Sequence, residues 1–287
     1  MNSEDRMPMN TDPQLATYLS HWGARAVPFS NAADEKLFLT PGIEQALGLL
    51  QQTAALRSVM ALSGANGAGK SALVAHWIEH LEPKLFRPIV ITQATLSGAG
   101  LLSTLLAKLG QTPQNRRHTN LALLEDAIRQ LDRVIPVLVL DEAQLYRPGS
   151  LDEIRLLLGL NLPRCPVFAL ILIGDTYFLD AMRLQSQRAL YSRIAVAFNL
   201  VPLERAQVAD YCAHALAQVG IDRPCIEPAA LDLIAVASDG LPRTINLLAR
   251  MAWIEASQRK ANSITSAHVQ PALNLVPSAY DKIAPPS

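Results

Sequence analysis

The octet Gly64-Ala-Asn-Gly-Ala-Gly-Lys-Ser71 constrains this chain more than anything else in it, because it fits the pattern GxxxxGK[ST]. Such a loop works only where a strand delivers it and a helix receives it. Both are expected here, since the run Val59–Ser63 reads as a strand and a helical pattern opens near Ser71. In that setting the glycines let the backbone wrap closely with its N–H groups turned inward. The helix N-terminus adds partial positive charge, making a cradle for phosphate oxygens. Lys70 is placed to reach the β- and γ-phosphates and Ser71 to hold Mg²⁺. Gly64, Ala65, Asn66, Gly67, Ala68, Gly69 and Ala72 complete the expected contacts with ATP.

The chain around the octet supplies the sheet it needs. Short apolar runs at Val59–Ser63, Ile89–Thr92, Val137–Leu140, Val167–Ile173 and Ala195–Leu200 alternate with helical patterns. Runs apolar at nearly every position fit strands buried on both faces, and their alternation with helices is the βαβ signature of a parallel sheet. Pro41–Leu56 has helical spacing, with Ile43, Leu47, Leu50 and Ala54 on one face. After Leu203 strand signals stop, and Glu204–Val219, Glu227–Ser238, Pro242–Lys260 and Ser263–Leu275 each read as a helix, with Ser263 or Thr265 as the last N-cap. The expectation is an irregular arm over 1–40, a nucleotide-binding domain over 41–203, a helical lid over 204–276 and a flexible tail over 277–287.

Val137-Leu-Val-Leu-Asp-Glu-Ala-Gln144 sets two acids directly after a buried strand, where a charge needs a partner and a magnesium ion is a natural one. Asp141 is therefore expected to bind Mg²⁺ through water. Glu142 is expected to activate the water that attacks the γ-phosphate. His76 and His80 lie four apart but lack the adjacent Glu of a zinc-protease helix, and are read as structural.

Composition narrows the class further. Only 17% of the 287 residues are charged, with 25 basic against 25 acidic, so any nucleic-acid contact must use a local patch rather than a general positive surface. The tight basic cluster outside the phosphate loop is Arg116-Arg117-His118, in a polar stretch from Gly110 to Asn120; Arg116 and Arg117 are its candidate DNA contacts. Cys165, Cys212 and Cys225 form no CxxC pattern and are expected to be reduced, buried thiols. The longest uncharged stretches, Pro88–Ala107 and Ala261–Tyr280, are interrupted by polar residues and make poor bilayer spans, so a cytoplasmic protein with no membrane partner is expected.

The chain also resembles bacterial AAA+ ATPases of the ExeA type. The resemblance rests on Tyr18…Pro28-Phe29-Ser30, Leu37-Phe38-Leu39, the phosphate loop, Ile173-Gly174, Ser192-Arg193-Ile194 and Gly240-Leu-Pro-Arg243 followed by Ile245-Asn246, and covers roughly residues 15–275. It implies the P-loop NTPase three-layer fold, with a parallel five-stranded sheet, followed by a small all-α lid. It further implies an arginine finger at Arg193, with Arg188 as the rival on the same segment, and a sensor-2 arginine at Arg243. Sensor 1 would fall at the end of the fourth strand, on Asp175 or Thr176, where relatives carry an uncharged polar residue. Pro28 and Phe29 would lie against the adenine.

Two uses of this architecture follow from the resemblance. One is a transposition helper of the TniB/TnsC kind, which oligomerises with ATP as a ring or helical filament on duplex DNA and recruits a DDE-type transposase. The other is an ATPase assisting assembly of a secretion apparatus. The secretion proteins continue into a membrane segment and an envelope-facing domain, whereas this chain ends at Ser287, and that weighs toward the helper.

Overall fold

The computed structural model describes residues 12–30, 36–93, 96–160, 166–184 and 188–276. In chain order the helices are α1 (Pro13–Trp22), α2 (Pro41–Ala55), α3 (Lys70–Glu79), α4 (Gly98–Lys108), α5 (Arg117–Gln130), α6 (Pro148–Leu157), α7 (Phe178–Met182), α8 (Arg188–Tyr191), α9 (Arg205–Gln218), α10 (Pro228–Ser238), α11 (Pro242–Gln258) and α12 (Ser266–Leu275). The strands are β1 (Val59–Gly64), β2 (Phe86–Ile91), β3 (Ile135–Leu140), β4 (Ala169–Ile173) and β5 (Val196–Leu200). Two compact units result. One is the continuous stretch Leu39–Val201, and the other joins the two flanks, up to Phe38 and from Pro202 onward.

The first unit is built on one fully parallel sheet in the order β2-β3-β4-β1-β5. The central strands β1 and β4 are buried at every position, and β3 at all but its first, as continuous apolar runs require. Val59, Ala61, Leu138, Leu140, Leu170 and Leu172 face the layer that includes α4, α5 and α6. Met60, Leu62, Val139 and Ile171, of the opposite parity, are equally buried, and α2 and α3 lie against the sheet. The three-layer fold that the sequence implies is therefore present.

The edge strands are where the apolar runs mislead. β2 begins at Phe86 rather than Ile89, because Arg87 and Pro88 interrupt the run. Ile135 donates to the Leu85 carbonyl at 2.8 Å and Asp141 to the Ile91 carbonyl at 3.1 Å, so odd-numbered residues of β2 face β3. Pro88 thus turns its missing N–H away from the ladder, the one side on which an edge strand tolerates proline. β5 alternates between half-buried and exposed positions up to Leu200, as the opposite edge.

The second unit is helical, with α1 and α9–α12 around Val208, Ile234, Ile245, Leu248, Ala252 and Trp253. In place of an irregular arm, its N-terminal part forms α1, started by Asp12 accepting from Gln14 N at 3.0 Å and by Pro13 in the first turn. Trp22 stacks on Trp253 with ring centroids 6.3 Å apart and donates from Nε1 to Ser257 Oγ at 2.6 Å. Thr265 caps α12 in a reciprocal bond with His268. Gly240 stands at φ 68°, and a Cβ there would collide with the carbonyl oxygen of Leu203, whose own N–H donates to the Gly240 carbonyl at 2.9 Å. Only glycine fits that latch.

Cys212 and Cys225 are buried free thiols, and burial pushes the Cys212 thiol up to about 12. Cys165 and the tail 277–287 lie outside the described residues. No helix among the described residues is long and apolar enough to cross a membrane.

Candidate nucleotide-binding site

β1 ends at Gly64, where φ is 154° and a Cβ would come within 2.5 Å of the Leu200 carbonyl oxygen. The chain then turns through Ala65–Ala68, closed by Ala68 N donating to Ala65 O at 3.1 Å, and enters α3 through Gly69 in the left-handed region at φ 97°. Gly69 is the N-cap and brings no side chain to it. A helix start with no side-chain cap, opened by glycine, suits an anion such as a phosphate. Lys70 folds over the loop, its Nζ donating to the carbonyls of Gly64 at 2.7 Å and Ala65 at 3.0 Å.

The acid pair stands at the end of β3 and meets this loop directly. Ser71 Oγ donates to Asp141 Oδ2 at 3.1 Å, across 70 residues of sequence. The other Asp141 oxygen accepts the N–H of Glu142 at 2.9 Å. A hydroxyl and a carboxylate side by side, next to a phosphate cradle, are the oxygen donors that a magnesium ion takes beside substrate phosphates, so these residues fit the metal. Glu142 is exposed and sits in left-handed backbone at φ 51°, a strained conformation for a residue with a side chain. Its carboxylate meets the residue two places on, Oε2 accepting from Gln144 Nε2 at 2.6 Å.

Two residues next to the acids contribute although the sequence reading gives them no role. Gln144 also accepts from the Asp175 N–H, through Oε1 at 3.2 Å, so it joins the tips of β3 and β4. Tyr146 is buried and donates to the Ile91 carbonyl at 3.2 Å, bracing β2 against the turn after β3. Burial, then the charge of Asp141, push its hydroxyl up to about 12. The signal for Gln144 lies in the motif Asp-Glu-Ala-Gln itself, which directly follows a buried strand and has a polar residue at its fourth position.

The remaining expected residues are placed as follows. Arg193 is half-buried and donates from Nη1 to the Arg155 carbonyl at 2.6 Å, while Arg188 is exposed on the four-residue α8. Asp175 spends its carboxylate on its own loop, accepting from Tyr177 N at 2.9 Å, and Thr176 lies in that turn. Arg243 is exposed in the first turn of α11. Asn246 of the same motif is buried and accepts from Tyr211 at 2.8 Å. His76 and His80 have ring centroids 4.2 Å apart, and no group of three or more metal-binding side chains occurs among the described residues.

Two expectations need correction. Phe29 is 1% exposed, packed in the helical core with Trp22, so its ring has no face to offer an adenine. Arg117 does not lie in a polar loop but opens α5, and it grips Glu153 with two nitrogens at 2.9 to 3.2 Å. Glu153 is 8% exposed, so a charge there must be paired, and Arg117 is the partner. Arg116 and His118 remain exposed.

Residues 54–182 match the AAA domain family. The chain is 30% identical over 211 residues to General secretion pathway protein A of Aeromonas hydrophila, a stretch covering 71% of this chain and 38% of that protein. In fold it is similar to Cdc6p of Pyrobaculum aerophilum (TM-score 0.67, 20% identity, 86% of this chain and 70% of that one). It is likewise similar to Drosophila ORC bound to DNA (TM-score 0.64, 20% identity, 95% and 69%). The RuvB Holliday junction branch migration motor of Thermotoga maritima shares the fold at a TM-score of 0.54, with 18% identity over 81% of this chain and 68% of that one. Loop, acids and sheet order agree with the match of residues 54–182 to the AAA domain family: the chain has the P-loop fold, and that stretch carries the parts of an ATPase site.

Proposed function

We propose that this protein is an ATP-dependent, DNA-binding regulator of transposition. ATP would order copies of the chain into a ring or helical filament on duplex DNA, marking a target and recruiting a DDE-type transposase. Hydrolysis would then dissolve the assembly. Acting on DNA, the protein would work in the cytoplasm.

The observation that carries the nucleotide chemistry is the 3.1 Å contact of Ser71 with Asp141, which joins the phosphate cradle to the acid pair. Ser71 and Asp141 would hold Mg²⁺, and Lys70 and the loop amides would hold the triphosphate. When bound, the ion neutralises charge on the β- and γ-phosphates. Glu142 takes a proton from water as the water oxygen bonds to the γ-phosphorus. The bond from that phosphorus to the β–γ bridging oxygen breaks, and ADP and phosphate leave. Arg193 or Arg188 of a neighbouring copy would approach the γ-phosphate, and Arg243 is the proposed sensor-2 arginine. The DNA reading draws support from the fold shared with ORC bound to DNA and with a branch migration motor. Arg117 being paired, Arg116 is the proposed phosphate contact of its cluster.

The test is binding of purified protein to duplex DNA with and without Mg-ATP across a salt series. ATP-dependent binding that weakens steeply with salt is expected, since each phosphate contact releases counterions. No ATP-dependent association at low salt defeats the DNA reading. A second reading, assistance in assembling a secretion apparatus, is favoured by the 30% identity to General secretion pathway protein A. An active ATPase that ignores DNA would turn the argument toward it.

A further inference from the structure

Glu142 is exposed, and a free glutamate there would sample several rotamers, yet a proton acceptor works only within hydrogen-bond reach of its water. Among the described residues, one side chain holds this carboxylate. Gln144 donates from Nε2 to Glu142 Oε2 at 2.6 Å and accepts through Oε1 from the Asp175 N–H at 3.2 Å. The orientation of the amide is forced, because a carboxylate only accepts and a backbone N–H only donates, so exchanging Oε1 and Nε2 would break both bonds. The far anchor is stiff. Gly174, next to Asp175, donates to the Leu62 carbonyl of β1 at 3.0 Å, and the Asp175 carboxylate closes its own turn onto Tyr177.

We propose that Gln144 is a positioning residue for ATP hydrolysis, a two-ended strap that aims the Glu142 carboxylate by tying it to the tip of β4. The strap occupies one carboxylate oxygen and leaves the other, Oε1, for a water. It also supplies the uncharged polar group at the junction of the third and fourth strands, where the carboxylate of Asp175 is turned aside into its own loop. The sites at the two strand tips are thereby coupled. A shift of the Asp175–Tyr177 turn moves Gln144, and with it the proton acceptor. This inference rests on the reading of Glu142 as the residue that activates water.

Five variants of the full chain test it, the single Glu142→Gln among them, each assayed for ATP turnover, ATP affinity and melting temperature. Gln144→Leu removes both ends of the strap, and Gln144→Glu keeps the acceptor for Asp175 but sets a carboxylate against Glu142. Both are expected to lower kcat about tenfold, a part of the roughly hundredfold or greater contribution of a positioned base, with KM for ATP within about twofold. In the double variant Glu142→Gln/Gln144→Leu the second change adds less than about twofold to the first, because Gln144 acts through Glu142. The exchange Glu142→Gln/Gln144→Glu rebuilds an amide-to-carboxylate contact with the partners reversed and recovers the melting temperature lost in Gln144→Glu alone. A residue that serves folding only would add its effect in full on the Glu142→Gln background, and that outcome overturns the proposal. So does a kcat that is unchanged or raised in Gln144→Leu while Glu142→Gln is slow, which leaves the reading of Glu142 standing. Normal turnover in Glu142→Gln overturns both.

Discussion

Ser71 meets Asp141 across 70 residues, inside one continuous stretch where strands and helices alternate; Trp22 meets Trp253 across 231, from opposite flanks of the chain. The α/β unit is thus assembled from neighbours in sequence, and its chemistry hangs on short loops at strand ends. The helical unit is assembled from distant pieces, and its core depends on their meeting. A loop motif carries its geometry with it. A core shared between flanks does not, because nothing near Trp22 in the sequence says what it will touch.

The sharpest way to break this comparison is in the phosphate loop. Lys70→Ala should lower ATP turnover by about a hundredfold or more, the usual scale for losing a cation aimed at transition-state charge, while the melting temperature falls little. A turnover near normal would mean that the loop does not hold the reacting phosphate. Next comes Trp22→Ala. Losing a nearly buried indole from the helical core should cost about 3–5 kcal/mol, read as lost helicity and a lower midpoint in urea. If stability were unchanged, the N-terminal flank would not belong to that core.

Arg117 and Arg116 give a smaller contrast within the α/β unit. Arg117→Ala leaves Glu153 without its partner, and because the guanidinium is itself half-exposed the expected loss is about 1–3 kcal/mol. Arg116→Ala should stay within about 0.5 kcal/mol but flatten the salt dependence of DNA binding. Reversed effects would return Arg117 to the DNA surface.

A pH-dependent effect is expected at Tyr146. Its hydroxyl rises from the ordinary 10.0 to about 12 on folding, so the folded chain favours the protonated phenol. The stability it contributes is complete below pH 10 and is lost as the pH climbs toward 12. Tyr146→Phe should cost about 1 kcal/mol at neutral pH and make the alkaline decline shallower, checked by chemical unfolding at several pH values.

What the sequence made legible follows the same division. The octet at 64–71 and the acids at 141 and 142 were readable because each is a local pattern attached to a strand. The central strands were readable because burial on both faces makes nearly every position apolar. β2 was read three residues short because an edge strand admits Arg87 and Pro88. The helix Pro13–Trp22 has a sound start signal in Asp12-Pro13, which the reading of an irregular arm over 1–40 leaves out. An adenine contact at Phe29 is what the family resemblance implies, and only the three-dimensional core shows that its ring is already enclosed. Gly240 gave the opposite lesson. It was noticed as part of a motif, and the reason for glycine is a backbone pressed against it from Leu203, which no local pattern encodes.

Building one unit from both flanks also sets a schedule during synthesis. The segment carrying Trp22 and Phe29 leaves the ribosome well before α9–α12, with the whole stretch Leu39–Val201 still to be made in between. At ordinary elongation rates that delay is about 10–30 s. The stretch Leu39–Val201 can close on itself meanwhile, but the early segment must wait with its indole and phenyl rings in water, a natural target for a chaperone that grips extended apolar chain.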